Sequence, residues 1–223
     1  MRLKAAIFDL DGTLMDTLED IAVSVNKVLK DFGKEPVELD KFRYLVGEGA
    51  KTLMQKVLPE EDEKTQKEAH LLFEKYYAKE YDKNTKLYDG IDKLLTFLQT
   101  RGYKMAIISN KPDSFTKLCA VKYLRKWKFD AVYGIREGVP KKPDPAGVFD
   151  IFKDLSVKAE ECLYFGDTAI DMITAKNAGI ENSIGVLWGF RDEKELRENG
   201  AKYIVKTPKD TLKLVVDIEA KNE

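Results

Sequence analysis

The sequence predicts an α/β fold, a mostly parallel sheet covered by helices on both faces, with an all-helical segment inserted after the first strand. Three observations predict it. From residue 83 onward, short apolar runs alternate with amphipathic helical stretches, the pattern of a sheet wound with helices. The run KAAIF at 4–8 empties into an acidic, glycine-containing turn, DLDGT, as a buried strand does. Between them, residues 16–82 carry helical periodicity and no convincing strand.

The elements follow in order. Ile21, Val25, Val28, Leu29 and Phe32 recur at helical spacing, and Gly33 is placed to cap that helix. A second helix runs from Gly49 to Leu58 and stops near Pro59. A third runs from about Glu61 to Tyr81, and its density of Lys and Glu reads as a solvated face. Ile91, Leu94, Leu95 and Leu98 mark a helix closed by Gly102. The run YKMAII (103–108) is a strand ending at Ser109, and a helix follows Pro112 and Asp113. Short strands are expected at 131–135, 162–166, 183–187 and 202–205. The result is a Rossmann-like three-layer core of residues 1–15 and 83–223 with a helical cap of residues 16–82. The joining segments near 15–18 and 80–86 are expected to act as hinges.

Bulk properties narrow the function. The chain has 223 residues, enough for one large domain or two unequal ones. Its 38 basic and 39 acidic residues nearly cancel, so no strong field argues for nucleic acid or an anionic membrane, while a small anionic partner remains compatible. No apolar run approaches the roughly 20 residues that span a bilayer. The chain reaches Asp9 after only a few apolar residues, unlike a signal peptide, and the expected location is the cytoplasm. The expected state is monomer or dimer. Cys119 and Cys162 sit in separate apolar runs and read as buried free thiols.

Four features fall at the C-terminal ends of expected strands, the edge where open parallel sheets place their sites. They are Asp9 with Asp11, Ser109, Lys142, and Asp167 with Asp171. Four carboxylates at one sheet edge repel and cannot all stay ionised without a cation. A hard divalent ion with oxygen ligands, Mg²⁺, answers that need. Lys142 and the Ser109 hydroxyl would then face phosphate oxygens, which suits phosphoryl transfer, where positioning and charge neutralisation dominate. Taken singly, each feature has a plainer reading: a DxD turn is usually solvated, a Ser at a strand end is often a helix cap, and a lysine beside prolines usually lies at the surface. Their order and placement together point to a site. Lys141 stands beside Lys142, and spacing alone does not choose between them.

FDLDGTL (8–14), ISNK (108–111), KPDP (142–145) and GDTAID (166–171) resemble the four motifs of the haloacid dehalogenase superfamily, and the likeness spans nearly the whole chain. The insert at 16–82 resembles its C1-type cap. DTLEDIAVSVNKVL (16–29), VGEGAKTLM (46–54) and WGFRD (188–192) are most similar to the phosphoglycolate phosphatase branch. The resemblance implies a phosphatase. Asp9 would be the nucleophile, and Asp11 the acid that protonates the leaving oxygen and later activates water. Ser109, with Asn110 and neighbouring backbone N–H groups, would hold phosphate oxygens. Lys142, favoured over Lys141 by the KPDP match, would neutralise phosphoryl charge. Asp9, the Asp11 carbonyl and Asp167 would bind Mg²⁺, with Asp171 in support. Gly12, Gly166 and Thr13 would set the tight loops.

Substrates open on this reading are phosphoglycolate, other small phosphorylated metabolites such as sugar phosphates or nucleotides, and pyrophosphate. Selection is expected in the cap and around residues 46–51, where Gly47, Glu48 and Gly49 are candidate substrate contacts. The two glycines equally suit the end of one cap helix and the start of another. Asp11 argues against dehalogenation, which needs no acid there. Ile21 stands where related sugar-phosphate mutases carry a histidine. Phosphonate-cleaving relatives use a cap lysine as a Schiff base, and Lys27 and Lys30, which lie on the same helix, read as members of its polar face. His70 reads as a partly exposed helix residue, and Trp188 and Phe190 as packing or loop anchors rather than substrate contacts. A non-catalytic binder on the same scaffold is the alternative from another class, and retention of Asp9, Asp11, Lys142 and Asp167 weighs against it.

Overall fold

The computed structural model describes residues 3–222; residues 1–2 and 223, the outermost of the expected core, lie outside them. The first strand, β1 (Ala5–Phe8), is buried throughout. The chain then makes a two-residue strand, β2 (Met15–Asp16), and four helices: α1 (Leu18–Asp31), α2 (Leu39–Leu45), α3 (Ala50–Val57) and α4 (Glu63–Glu80). It returns through β3 (Lys86–Leu87), which pairs antiparallel with β2. The remainder is α5 (Ile91–Thr100), β4 (Lys104–Pro112), α6 (Asp113–Cys119), β5 (Ala131–Ile135), α7 (Ala146–Leu155), β6 (Cys162–Gly166), α8 (Ala169–Asn177), β7 (Asn182–Val186), α9 (Glu193–Glu198), β8 (Tyr203–Val205) and α10 (Pro208–Asn222).

The main sheet has the order β5-β4-β1-β6-β7-β8, and every neighbouring pair in it is parallel. Alternate residues of a strand point to opposite faces, and both faces here are covered. Ala6, Phe8, Met105, Ile107, Leu163 and Phe165 pack with Leu94, Leu98, Val215 and Ile218 of α5 and α10. Ala5, Ile7, Ala106, Ile108 and Tyr164 pack with Val148, Ile151 and Ala175 of α7 and α8. This two-sided burial explains why the strands read as continuous apolar runs rather than alternating ones.

The insert builds its own apolar centre from α1, α2, α3 and α4, including Val25, Phe42, Met54, Phe73 and Tyr77. Two rings from the core complete that centre, Phe115 of α6 and Phe190 of the loop after β7. The cap is thus keyed to the core through packing. The expected hinges are also tied to one another. Buried Asp20 of α1 accepts hydrogen bonds from the Asn84 N–H (2.9 Å), its side-chain amide (3.0 Å), the Thr85 N–H (2.9 Å) and the Thr85 hydroxyl (2.7 Å).

Four elements differ from the sequence expectation. The strands β2 and β3 are two residues each, too short for any periodicity to register. Helix α2 has seven residues and buries only Phe42, so its apolar stripe is a single position. And β4 runs on through Ser109, where the sequence reading ended it. Its ladder with β5 slips there: Ile108 pairs with Tyr133 and Pro112 with Ile135, so residues 109–111 stand opposite Gly134 alone. Only glycine fits, because a Cβ at 134 would lie 2.5 Å from the Lys111 carbonyl oxygen. The bulge re-aims this stretch at the sheet edge, a common use of bulges beside sites.

Candidate active site

Four adjacent strands of the sheet, β5, β4, β1 and β6, each deliver one group to the same end of the sheet. Asp9 follows β1, Ser109 sits in the bulge of β4, Lys142 lies in the loop after β5, and Asp167 follows β6. The loop after Asp9 is wound tightly, with the Leu10 carbonyl accepting from the N–H groups of Leu14 and Met15, both at 3.0 Å.

Lys142 is the hub. Its ammonium lies 2.9 Å from Asp9 Oδ1 and 2.7 Å from Asp171 Oδ1. Burial alone would drive this amine to deprotonate, but the two carboxylates outweigh it and hold Lys142 charged, well above the ordinary lysine range. Asp171 is oriented by Thr168, whose hydroxyl and N–H donate to Oδ2 at 2.9 and 3.2 Å. Asp167 accepts from the Thr13 hydroxyl at 3.0 Å and from the Phe190 N–H at 2.8 Å. Backbone presses on it from two sides: a Cβ at Gly12, where φ is 86°, would lie 2.2 Å from Asp167 Oδ2, and one at Gly189 would lie 2.4 Å from its Cβ. Asp9 accepts the Leu10 N–H at 2.7 Å on Oδ1, the same oxygen that faces Lys142.

One carboxylate oxygen from each of Asp9, Asp167 and Asp171 lies within 4.8 Å of the other two. Burial, and then repulsion from Asp171, push the Asp9 carboxyl up to about 7. The same causes push Asp167 well above the carboxylate range. Buried acids held so close, with one lysine to balance them, form a set of hard oxygen donors that suits Mg²⁺. Asp167 is better placed to ligate than Asp171, because its oxygens accept only the neutral Thr13 and Phe190 donors, whereas Asp171 already faces the Lys142 ammonium.

Lys141 turns the other way. Its ammonium reaches the cap, donating to the Glu48 carbonyl (2.6 Å) and the Thr52 hydroxyl (2.9 Å), so it fastens the cap loop rather than standing free at the rim. The NH2 group of the Asn110 side chain is spent on the carbonyls of Gly47 (3.1 Å) and Lys142 (3.0 Å), joining the cap loop to two core loops. Gly47 and Gly49 line the cleft between cap and core. Glu48 does not line it, because its side chain turns out to pair with Lys56 at 2.5 Å.

Sequence reasoning missed Lys111. Its ammonium donates to both carboxylate oxygens of Asp11, at 2.8 and 2.9 Å, with a side chain only 4% exposed. A signal existed: on an extended segment Lys111 shares the face of Ser109 two residues earlier. Tyr77 of α4 was also missed, since a tyrosine in a charged helix reads as packing. The remaining cap side of the cleft is apolar, with Ile21, Val46, Leu53 and Phe73. The cleft has a cavity volume of about 60 Å³ and is partly open to solvent.

The other flagged residues lie outside the reacting groups. His70 is half-buried, with Glu74 3.7 Å away. Trp188 donates its indole N–H to the Thr13 carbonyl at 2.9 Å, and the Phe190 ring plugs into the cap. Lys27 pairs with Glu80 at 2.7 Å. Both cysteines are free and buried, and burial pushes the Cys119 thiol up to about 11. No helix among the described residues is long and apolar enough to cross a membrane.

Comparison with known proteins agrees with this geometry. The family model of the haloacid dehalogenase-like hydrolases matches residues 6–186. A phosphoglycolate phosphatase of Colwellia psychrerythraea is 33% identical over 208 residues, covering 90% of this chain and 92% of that protein. One from Aquifex aeolicus is 32% identical over 213 residues, covering 96% and 97%. A solved chain from Lactobacillus delbrueckii subsp. bulgaricus, described as a candidate phosphoglycolate phosphatase, superposes with a TM-score of 0.90 at 27% identity, covering 96% of this chain and 99% of its own. With its motifs on four adjacent strands and a helical cap above them, the chain belongs to the haloacid dehalogenase-like hydrolase family and is a phosphatase similar to the phosphoglycolate phosphatases.

Proposed function

We propose that the chain hydrolyses small phosphate monoesters by way of a phosphoryl group carried on Asp9, with Mg²⁺ as its metal and phosphoglycolate as the favoured substrate. The observation that carries the reading is the convergence of Lys142, Asp167 and Asp171 on Asp9 at the sheet edge, with Asp9 lining the cleft beneath the cap. Asp9, the Asp11 carbonyl and Asp167 would hold Mg²⁺, which when bound supplies positive charge against the transferring phosphoryl oxygens.

A carboxylate oxygen of Asp9 attacks phosphorus, and the bond from phosphorus to the leaving oxygen breaks. Asp11 gives its proton to that oxygen. Water then attacks the phosphorus of the aspartyl-phosphate, Asp11 takes the water proton, and Asp9 is released as phosphate departs. Lys142, beside Asp9, is positioned to neutralise charge on the non-bridging oxygens, with the Ser109 hydroxyl as a donor to them. The observed pairing of Asp11 with Lys111 suits the second half-reaction, in which Asp11 acts as acceptor. In the first, Asp11 must turn from Lys111 to the leaving oxygen.

Two observations support this over sister chemistries. Ile21 lines the cleft, so the cap offers no proton shuttle of the mutase kind at that position. Lys27 is engaged by Glu80, away from a Schiff-base role. The preference for phosphoglycolate is supported by the similarity to phosphatases so named. The partner on this reading is a small phosphorylated metabolite. Phosphate release from phosphoglycolate, sugar phosphates, nucleotides and pyrophosphate, with Mg²⁺ and with chelator, tests it. Chelator-sensitive release with phosphoglycolate preferred is expected, and no release from any ester overturns it.

A further inference from the structure

We propose that Tyr77, together with Lys111, receives the leaving-group end of the substrate and selects phosphate monoesters that carry a carboxylate there. The inference rests on the phosphatase reading and assigns its selectivity to residues of this chain. The buried Tyr77 O–H has no acceptor, though the residue lines the cleft and is only 2% exposed. A buried phenol normally finds a partner. Burial pushes it well above its ordinary pKa, and the nearby Lys111 only partly offsets this, so the O–H is kept as a donor.

The ring cannot easily turn to find a partner elsewhere. It stacks on Phe73 at 5.4 Å and meets the edge of Phe115 at 5.1 Å. The Lys111 ammonium lies 4.7 Å from the ring centroid. Lys111 offers three N–H donors, and the two oxygens of Asp11 account for two of them. A phenolic O–H and an ammonium N–H therefore meet on one side of a cleft whose other cap-side walls are Ile21, Val46, Leu53 and Phe73. An alkyl leaving group would leave both donors unmatched. A carboxylate one or two carbons from the ester oxygen would satisfy both, and it would draw the Lys111 ammonium toward the substrate. Sites built around such donors reject ligands that lack the acceptor.

The test compares phosphoglycolate with ethyl phosphate, which is of similar size and lacks the carboxylate, on the wild type and on Tyr77→Phe. The ratio of kcat/KM for the two esters is the readout. The wild type is expected to prefer phosphoglycolate, and Tyr77→Phe to compress that preference roughly tenfold, chiefly through a raised KM for phosphoglycolate. An unchanged ratio in Tyr77→Phe overturns the assignment. So does a wild type that turns over both esters equally, a result that needs no variant and leaves the phosphatase reading intact. Turnover of neither ester by the wild type would also overturn the assignment, and release from the wider panel of esters would then show that the phosphatase reading stands without it.

Discussion

The floor and the roof of the cleft are built on opposite principles. On the floor, buried charges answer one another across strands: Lys142 bridges Asp9 and Asp171, and Asp167 is held by Thr13 and Phe190. On the roof, Ile21, Val46, Leu53 and Phe73 present carbon, and Tyr77 adds one hydroxyl without an acceptor. The floor is therefore equipped for a transfer common to any phosphate ester, and it stands on four parallel strands that cannot shift independently. The roof has little charge to offer and can only choose what the floor works on. It hangs on two chain crossings and two borrowed rings, Phe115 and Phe190.

The sharpest way to break this contrast is at Asp9. Asp9→Asn is expected to lower phosphate release on the order of 10⁴-fold or more. Because it removes one of three mutually repelling carboxyls, its metal-free melting temperature should hold or rise. A clear fall in melting temperature would show that Asp9 belongs to the structural balance of the floor rather than opposing it.

Asp11→Ala should separate chemistry from stability less cleanly. Activity is expected to fall about 10²- to 10⁴-fold with loss of the acid–base group. Lys111, buried and left without its counter-charge, should also lower stability by about 3 kcal/mol in a urea titration. Unchanged stability would mean that Lys111 finds another partner, with Tyr77 the nearest candidate.

Asp20→Ala probes the tie between the regions. It strips the Asn84 and Thr85 N–H groups of their acceptor at the crossing and should reduce stability by about 2 kcal/mol. Turnover should fall severalfold, because the roof loses its fixed position over an intact floor. Activity equal to wild type would show that Phe115 and Phe190 position the cap alone.

The smallest expected effect is on pH dependence. In chelator, Asp9 holds a proton in the folded protein up to about pH 7, whereas an unfolded carboxyl releases it near 4. The folded state thus binds more protons between those values, and its stability falls as pH rises through that window. The melting temperature should drop by a few degrees from pH 5 to 7.5. Mg²⁺ should flatten the drop by balancing the carboxylates. A melting temperature indifferent to Mg²⁺ at pH 7.5 would remove the metal from the floor.

Much of the floor was legible because each motif sits at the end of an apolar run, and a parallel sheet aligns such ends. Lys142 could be separated from Lys141 only by resemblance. Spacing leaves both in one loop, and the structure sends one to Asp9 and the other to the Glu48 carbonyl. The roof was less legible. Tyr77 lies in a helix whose apolar pattern is thin, and α2 buries one side chain. Neither gives a period from which a binding face can be read.

What the sequence determined by itself was the alternation of strand and helix, the insert after the first strand, and the four charged or hydroxylic groups placed at strand ends. These depend on local periodicity and on turn residues, which act over a few positions. The tertiary structure alone decided that Lys111 meets Asp11 from 100 residues away, that Gly134 makes room for the bulge, and that Phe190 joins the cap while its N–H holds Asp167. Those pairings are fixed by how the sheet and cap pack in space, and no local pattern along the chain encodes which distant partner a buried charge will find.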